Sequence, residues 1–196
     1  MKHFIFDLGG VVNKQIDREL IKDEIIAPQE KYKDLYMEKY KEMEIGLYTY
    51  EEFIKEVNKY LKYPNLEPEE YKKCYIDNGR KYSGVYQDTI DVIYKLKEMN
   101  YKVYLLSNCI TINYDELCNN MNISVFDKLF LSYEIQLLKP DSKIYLETIK
   151  KINDKPSNMY FFDDKLKNVI VAKECGMNAY QCTGENIKEV ISKIIK

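Results

Sequence analysis

The sequence predicts an α/β fold: a doubly wound parallel sheet with an all-helical cap inserted after its first strand. Three observations carry this reading. Short apolar runs end at polar residues at several points along the chain. From residue 85 onward these runs alternate with segments of helical periodicity, the order that builds a parallel sheet with helices on both faces. Residues 14–83 break the alternation, with many charges and tyrosines and no convincing strand.

The elements follow in order. Residues 4–12 open with an apolar run that stops at Asp7 and the Gly9-Gly10 pair, the pattern of a buried strand closed by a turn. Helices are predicted over roughly Asp17–Ile26, Glu30–Glu42, Tyr50–Tyr60 and Pro68–Asn78, punctuated by Pro28, Gly46, Pro64 and Gly79. Asp88–Met99 places Ile90, Ile93 and Leu96 on one helical face. Lys102–Leu106 reads as a strand running into Ser107-Asn108, and Leu129–Ser132 as a weaker one. The helix Tyr145–Ile152, the strand Met159–Phe162, the helix Asn168–Cys175 and the strand Asn178–Gln181 come next. An amphipathic helix, Ile187–Ile195, closes the chain. The expected division is an α/β core of residues 1–13 and 84–196 and a helical cap of residues 14–83.

Bulk properties narrow the function. The 196 residues fit one domain carrying an insertion. Basic and acidic residues number 30 and 32, so nothing in the charge points to nucleic acid or an anionic membrane. No apolar run reaches the roughly eighteen residues of a membrane-spanning helix. The start MKHFIFDLGG has no signal-peptide pattern, and the chain is expected to be cytoplasmic. Its five cysteines are odd in number and form no CxxC pair, so neither a disulfide framework nor a zinc site is expected. His3 is the one histidine, which argues against Ser-His-Asp and Cys-His mechanisms.

Chemistry concentrates where strands end. In such a sheet, ligands bind beyond the carboxyl ends of the strands. Three predicted strands end there in Asp7, Ser107-Asn108 and Asp163-Asp164, and the Leu138-Lys139-Pro140 loop adds a lysine. A carboxylate can attack phosphorus, and phosphoryl transfer then needs its equatorial charge neutralised. Mg2+ takes oxygen ligands, which the Asp7 and Asp164 carboxylates and the Gly9 carbonyl can supply. The Ser107 hydroxyl and the Asn108 amide suit phosphate oxygens, and Lys139 suits both the phosphoryl group and Asp7. Taken singly, each has a plainer reading. Asp7 and Asp163-Asp164 suit helix caps, Ser107-Asn108 and Gly9-Gly10 suit turns, and Lys139 suits an exposed loop.

FDLGGVV, LLSN, LKP and FFDDKLKNVIVAKECGM resemble, in that order, the four motifs of the haloacid dehalogenase superfamily. EIGLYTYEEF, Glu44–Phe53, is similar to a cap segment recurrent in these hydrolases. The resemblance implies a Rossmann-type core with a helical cap and a Mg2+-dependent phosphatase of small phosphorylated molecules. It implies Asp7 as nucleophile, Gly9 as the carbonyl ligand of the metal and Ser107 as the phosphate-binding hydroxyl. It also implies Lys139 as the motif lysine, Asp164 as the metal carboxylate with Asp163 beside it, and Asn168 as a residue orienting that loop.

One position departs from the pattern. Phosphatases of the superfamily usually carry a second Asp two residues after the nucleophile, as general acid and base, and here that position is Gly9. The Asp-Leu-Gly form is similar to that of α-glucose-1-phosphate phosphatases in the superfamily. The departure keeps a second class in play, a non-catalytic binding or regulatory protein that retains the fold. Carbon–halogen hydrolysis ranks third, because it needs no metal and the Asp163-Asp164 pair suits one.

Overall fold

The computed structural model describes residues 1–14, 28–82 and 84–195. Its sheet has five strands: β1 (His3–Phe6), β2 (Lys102–Ser107), β3 (Lys128–Leu131), β4 (Met159–Asp163) and β5 (Asn178–Gln181). They lie in the order β3-β2-β1-β4-β5, and every pairing is parallel. Phe6 sits level with Leu105 on one side and Phe162 on the other.

The strands are buried on both faces, as a parallel sheet requires. Their side chains alternate. Phe4, Phe6, Val103, Leu105 and Phe162 enter one core with α4 (Gln87–Glu98) and α9 (Ile187–Ser192). Ile5, Tyr104, Leu106, Phe130 and Phe161 enter the other with α7 (Ser142–Ile152) and α8 (Leu166–Glu174). The predicted face of Ile90, Ile93 and Leu96 is buried in the first of these.

The expected helix Glu30–Glu42 is a 3-10 turn, Glu30–Tyr32, followed by α1 (Lys33–Glu44). The next two are α2 (Tyr50–Val57), which runs into a 3-10 turn, and α3 (Pro68–Tyr82). The expected helix Asp17–Ile26 lies outside the described residues. Thr49 starts α2 with a capping box: its hydroxyl accepts the Glu52 N–H, and the Glu52 carboxylate accepts the Thr49 N–H. These helices form a core of their own around Tyr36, Tyr40, Phe53 and Tyr71. The chain leaves the sheet and returns to it side by side. Lys14 N–H donates to the Gly84 carbonyl at 2.8 Å and Tyr86 N–H to the Val12 carbonyl at 2.8 Å.

Two helices were not predicted. α5 (Thr111–Asn120) begins shortly after β2, but TINYDELCNN carries too few apolar residues to show a face. α6 (Ser132–Ile135) is a single turn, and Ser132, read as the end of a strand, is its first residue. His3 is structural. It is buried at the amino end of β1, with Asp154 at 2.8 Å from Nε2 and the Tyr104 hydroxyl at 3.1 Å from Nδ1. Among the described residues, no helix is long and apolar enough to cross a membrane.

Candidate active site

Strand order locates the site. From β1 the chain winds outward through β2 and β3 on one side and through β4 and β5 on the other. The reversal falls between β1 and β4, and that crevice is where a doubly wound sheet binds its ligands. Asp7 follows β1 and Asp163 ends β4, so two carboxylates meet at the reversal. Asp7 N–H donates to the Phe162 carbonyl at 2.8 Å, which carries the ladder one residue past β1 and holds Asp7 at the edge. Ser107 ends β2 on the other side and is buried.

Lys139 reaches this edge from its loop. Its Nζ lies 2.8 Å from Asp7 Oδ1 and 2.7 Å from Asp163 Oδ2, and it also donates to the Leu106 carbonyl at 2.9 Å. All three side chains are buried. Asp163 is fully engaged: it also accepts the Lys165 N–H at 2.8 Å, and the Asn168 amide at 2.9 Å on each oxygen. Asn168, expected to orient this loop, meets it through these hydrogen bonds to the Asp163 carboxylate. Asn108, expected to bind phosphate, is also tied to the lysine loop. Its Nδ2 donates to the Lys139 carbonyl at 2.9 Å and its Oδ1 accepts the Lys139 N–H at 2.8 Å, so the amide clamps the lysine's backbone.

Asp164 completes the set. Oxygens of Asp7, Asp163 and Asp164 all lie within 4.8 Å of one another. Asp164 Oδ1 is buried with no hydrogen-bond partner. Gly10 makes room for this side chain: a Cβ there would stand 2.7 Å from Asp164 Cγ, and its φ of +82° also favours glycine. In the sequence Gly10 reads only as a turn residue, and its close approach to Asp164 appears in the fold. At Gly9 a Cβ would meet nothing within 4 Å.

The charge balance leaves a clear deficit. Lys139 is the one ammonium in direct contact with the buried Asp7 and Asp163 among the described residues, half-buried Asp164 stands beside them with Lys165 as a more distant cation, and burying unpaired charge is costly. Burial pushes the Asp7 carboxyl up to about 7; Lys139 opposes this and Asp163 adds to it. Burial raises Asp163 too, but Lys139, the Lys165 N–H and the Asn168 amide outweigh it and hold that carboxyl below the usual range. Burial raises Asp164. For Lys139, burial works against the ammonium, but Asp7 and Asp163 outweigh it and hold the proton on. A dication fits this donor set: hard oxygen ligands, excess negative charge and an orphaned carboxylate oxygen. Lys139→Met should therefore cost about 3–5 kcal/mol, because it strands two buried carboxylates. Urea unfolding in metal-free buffer measures it; a cost below about 1 kcal/mol contradicts the burial argument.

A model of the haloacid dehalogenase-like hydrolases matches residues 1–176. The chain belongs to this family. This hydrolase is 30% identical to a D-ribitol-5-phosphate phosphatase of Bacteroides thetaiotaomicron, over 92% of its own length and 91% of the other's. It is 28% identical to a glyceraldehyde 3-phosphate phosphatase of Methanopyrus kandleri, over 53% of its length and 46% of the other's. Its fold is that of a haloacid dehalogenase family enzyme from B. thetaiotaomicron crystallised with magnesium and inorganic phosphate. The two superpose with a TM-score of 0.77 at 26% identity, over 97% and 98% of the chains. The non-catalytic reading gives way, since the chain is a hydrolase by family.

Proposed function

We propose that this hydrolase is a Mg2+-dependent phosphatase of small phosphorylated metabolites, sugar phosphates among them, working through an aspartyl phosphate on Asp7. The observation that carries the reading is the orphaned Asp164 oxygen, buried beside Asp7 and Asp163 at the strand-order reversal. It argues against carbon–halogen hydrolysis, which has no use for a dication. The similarity to phosphatases of phosphorylated carbohydrates supports the substrate class.

Asp7, the Gly9 carbonyl and Asp164 would hold the ion. When bound, Mg2+ neutralises charge on the phosphoryl oxygens. The chain's own residues do the rest. Asp7 Oδ1 already accepts the Leu8 N–H at 2.7 Å and faces Lys139, which leaves Oδ2 to attack phosphorus. The new Oδ2–P bond forms as the bond to the leaving oxygen breaks. Water then attacks the aspartyl phosphate, releases inorganic phosphate and restores the carboxylate. Lys139 compensates charge on Asp7 and the phosphoryl group throughout, with Asp163 and Asn108 holding its head and its backbone. Ser107 binds a phosphate oxygen. Gly9 offers no proton, so a leaving group that departs as a stable anion, or that takes its proton from water, suits this site. We assign residues 14–83 the part of a cap that closes over small substrates.

A panel of small phosphate monoesters assayed with Mg2+ tests this; release that stops on chelation is expected. If no monoester yields phosphate, or if haloacid turnover survives chelation, the reading is wrong. Magnesium should also raise the melting temperature more at pH 8 than at pH 5. The folded carboxyl of Asp7 titrates near 7, above its ordinary value, so without metal its burial is comfortable at low pH and costs stability as pH rises through 7. An ion held there restores what the rising pH removes, and protons compete with it at pH 5. Thermal unfolding with and without Mg2+ at the two pH values measures the difference. An equal shift at both would show that Asp7 is not a ligand.

A further inference from the structure

The loop that follows Ser107 at the end of β2, beginning with Asn108, is tied to the helical segment by two independent contacts. The first is polar. Ser132, fully buried just past β3, donates its hydroxyl proton to the Glu44 carbonyl at 2.6 Å and accepts the Cys109 N–H at 3.0 Å. Glu44 is the last residue of α1, where carbonyls lack partners within the helix. Two residues on, Gly46 has φ +76°, and a Cβ there would stand 2.2 Å from the Tyr133 carbonyl. The turn after α1 therefore rests backbone against backbone on the residue following Ser132. The second contact is apolar. Ile110 and Ile112 leave the sheet's cores and are buried among Tyr36, Phe53 and Tyr71, inside the core of the helices.

We infer that Ser132 is a positioning residue that seats the helical segment and the loop that follows Ser107 as one unit, a role that rests on the function proposed above. Its hydroxyl has one proton and two acceptors in reach, the Glu44 carbonyl at 2.6 Å and the Cys109 carbonyl at 3.2 Å. The Cys109 carbonyl gives the buried hydroxyl a second acceptor besides Glu44. With its proton on Glu44 and the Cys109 N–H on its oxygen, the hydroxyl bridges helix and loop. The loop that holds the phosphate is then in register with the helices that cover it. Asn108, next in the chain to Cys109, carries the same placement to the backbone of Lys139.

The test compares the parent chain with Ser132→Ala, Gly46→Ala and the double variant. The probe is p-nitrophenyl phosphate with Mg2+, alongside hydrogen exchange of residues 43–47 and 109–113. Peptides from β1 and β4 report whether the fold is intact. Ser132→Ala should loosen both segments together while β1 and β4 stay protected. It should lower kcat/KM about tenfold, through KM, because a phosphate ligand serves ground state and transition state alike. The double variant should lose no more than the worse single one, because both act on one contact. Loosening of one segment alone, losses that multiply, or an unchanged kcat/KM would each overturn the inference. Should Ser132→Ala fail to accumulate as folded protein, Gly46→Ala is read by the same measures. A parent chain that releases no phosphate from any monoester defeats the proposed function instead, and the exchange data then decide the seating by themselves.

Discussion

Asp7→Asn will bring phosphate release down to background, with kcat lower by a factor on the order of 10⁴–10⁶, the scale seen when a nucleophile is removed from a machinery that acts as a unit. An amide oxygen is a poor nucleophile toward phosphorus and cannot form the aspartyl phosphate. The substitution keeps the shape of the side chain. Its oxygen still accepts the Leu8 N–H, and Lys139 keeps Asp163 as its ion partner. Removing one of three clustered carboxylates also relieves their repulsion. The melting temperature without metal should therefore hold or rise while activity vanishes. Phosphate release under single-turnover conditions with Mg2+, beside a thermal scan, separates the two effects. Equal activity in the variant would remove Asp7 from the chemistry, whatever the stability shows.

Gly9→Asp carries the second largest effect, and its sign is a gain. The position lies two residues past Asp7, the nucleophile proposed above, where the resemblance to the family's phosphatases leads one to expect an acid. The structure leaves room: an added Cβ meets nothing within 4 Å, and Gly9 is not among the glycines with positive φ. A carboxyl there would stand beside three others, which favours its protonated form and suits it to donate a proton to the leaving oxygen. Alkyl phosphates, whose leaving groups need that proton, should be hydrolysed about a hundred- to ten-thousandfold faster. p-Nitrophenyl phosphate, which leaves as a stable anion, should change little. The ratio of the two rates is the measurement. A uniform change on both substrates would mean that protonation does not limit this enzyme, and a general loss would mean that the open space at Gly9 is needed by substrate or ion.

Much of this architecture was already legible in the chain. Apolar runs mark strands because alternate residues of a parallel strand must be covered on both faces, and Phe4–Phe6 and Val103–Leu105 show this without any partner in view. Ile90, Ile93 and Leu96 mark a helix for the same kind of local reason. Asp7, Ser107 and Asp163 fell at strand ends, and parallel strands bring their ends to one edge. The order of four motifs then named the family.

What the chain alone left undecided were the pairings between residues far apart in it. α5 escaped because its apolar residues are too few to show a period, and its face shows only in the fold, where Ile112 enters the core of the helices and Leu117 that of the sheet. That Asn108 clamps the Lys139 backbone shows only once the two segments meet. Gly10 is one more turn residue until Asp164 is found against it. Ser132 carries no signal at all until Glu44 and Cys109 meet at its hydroxyl. Periodicity is a property of neighbours in sequence, so one strand or helix reveals it. A buried hydrogen bond or ion pair exists only once strand order has chosen which ends lie side by side, and that choice belongs to the folded chain.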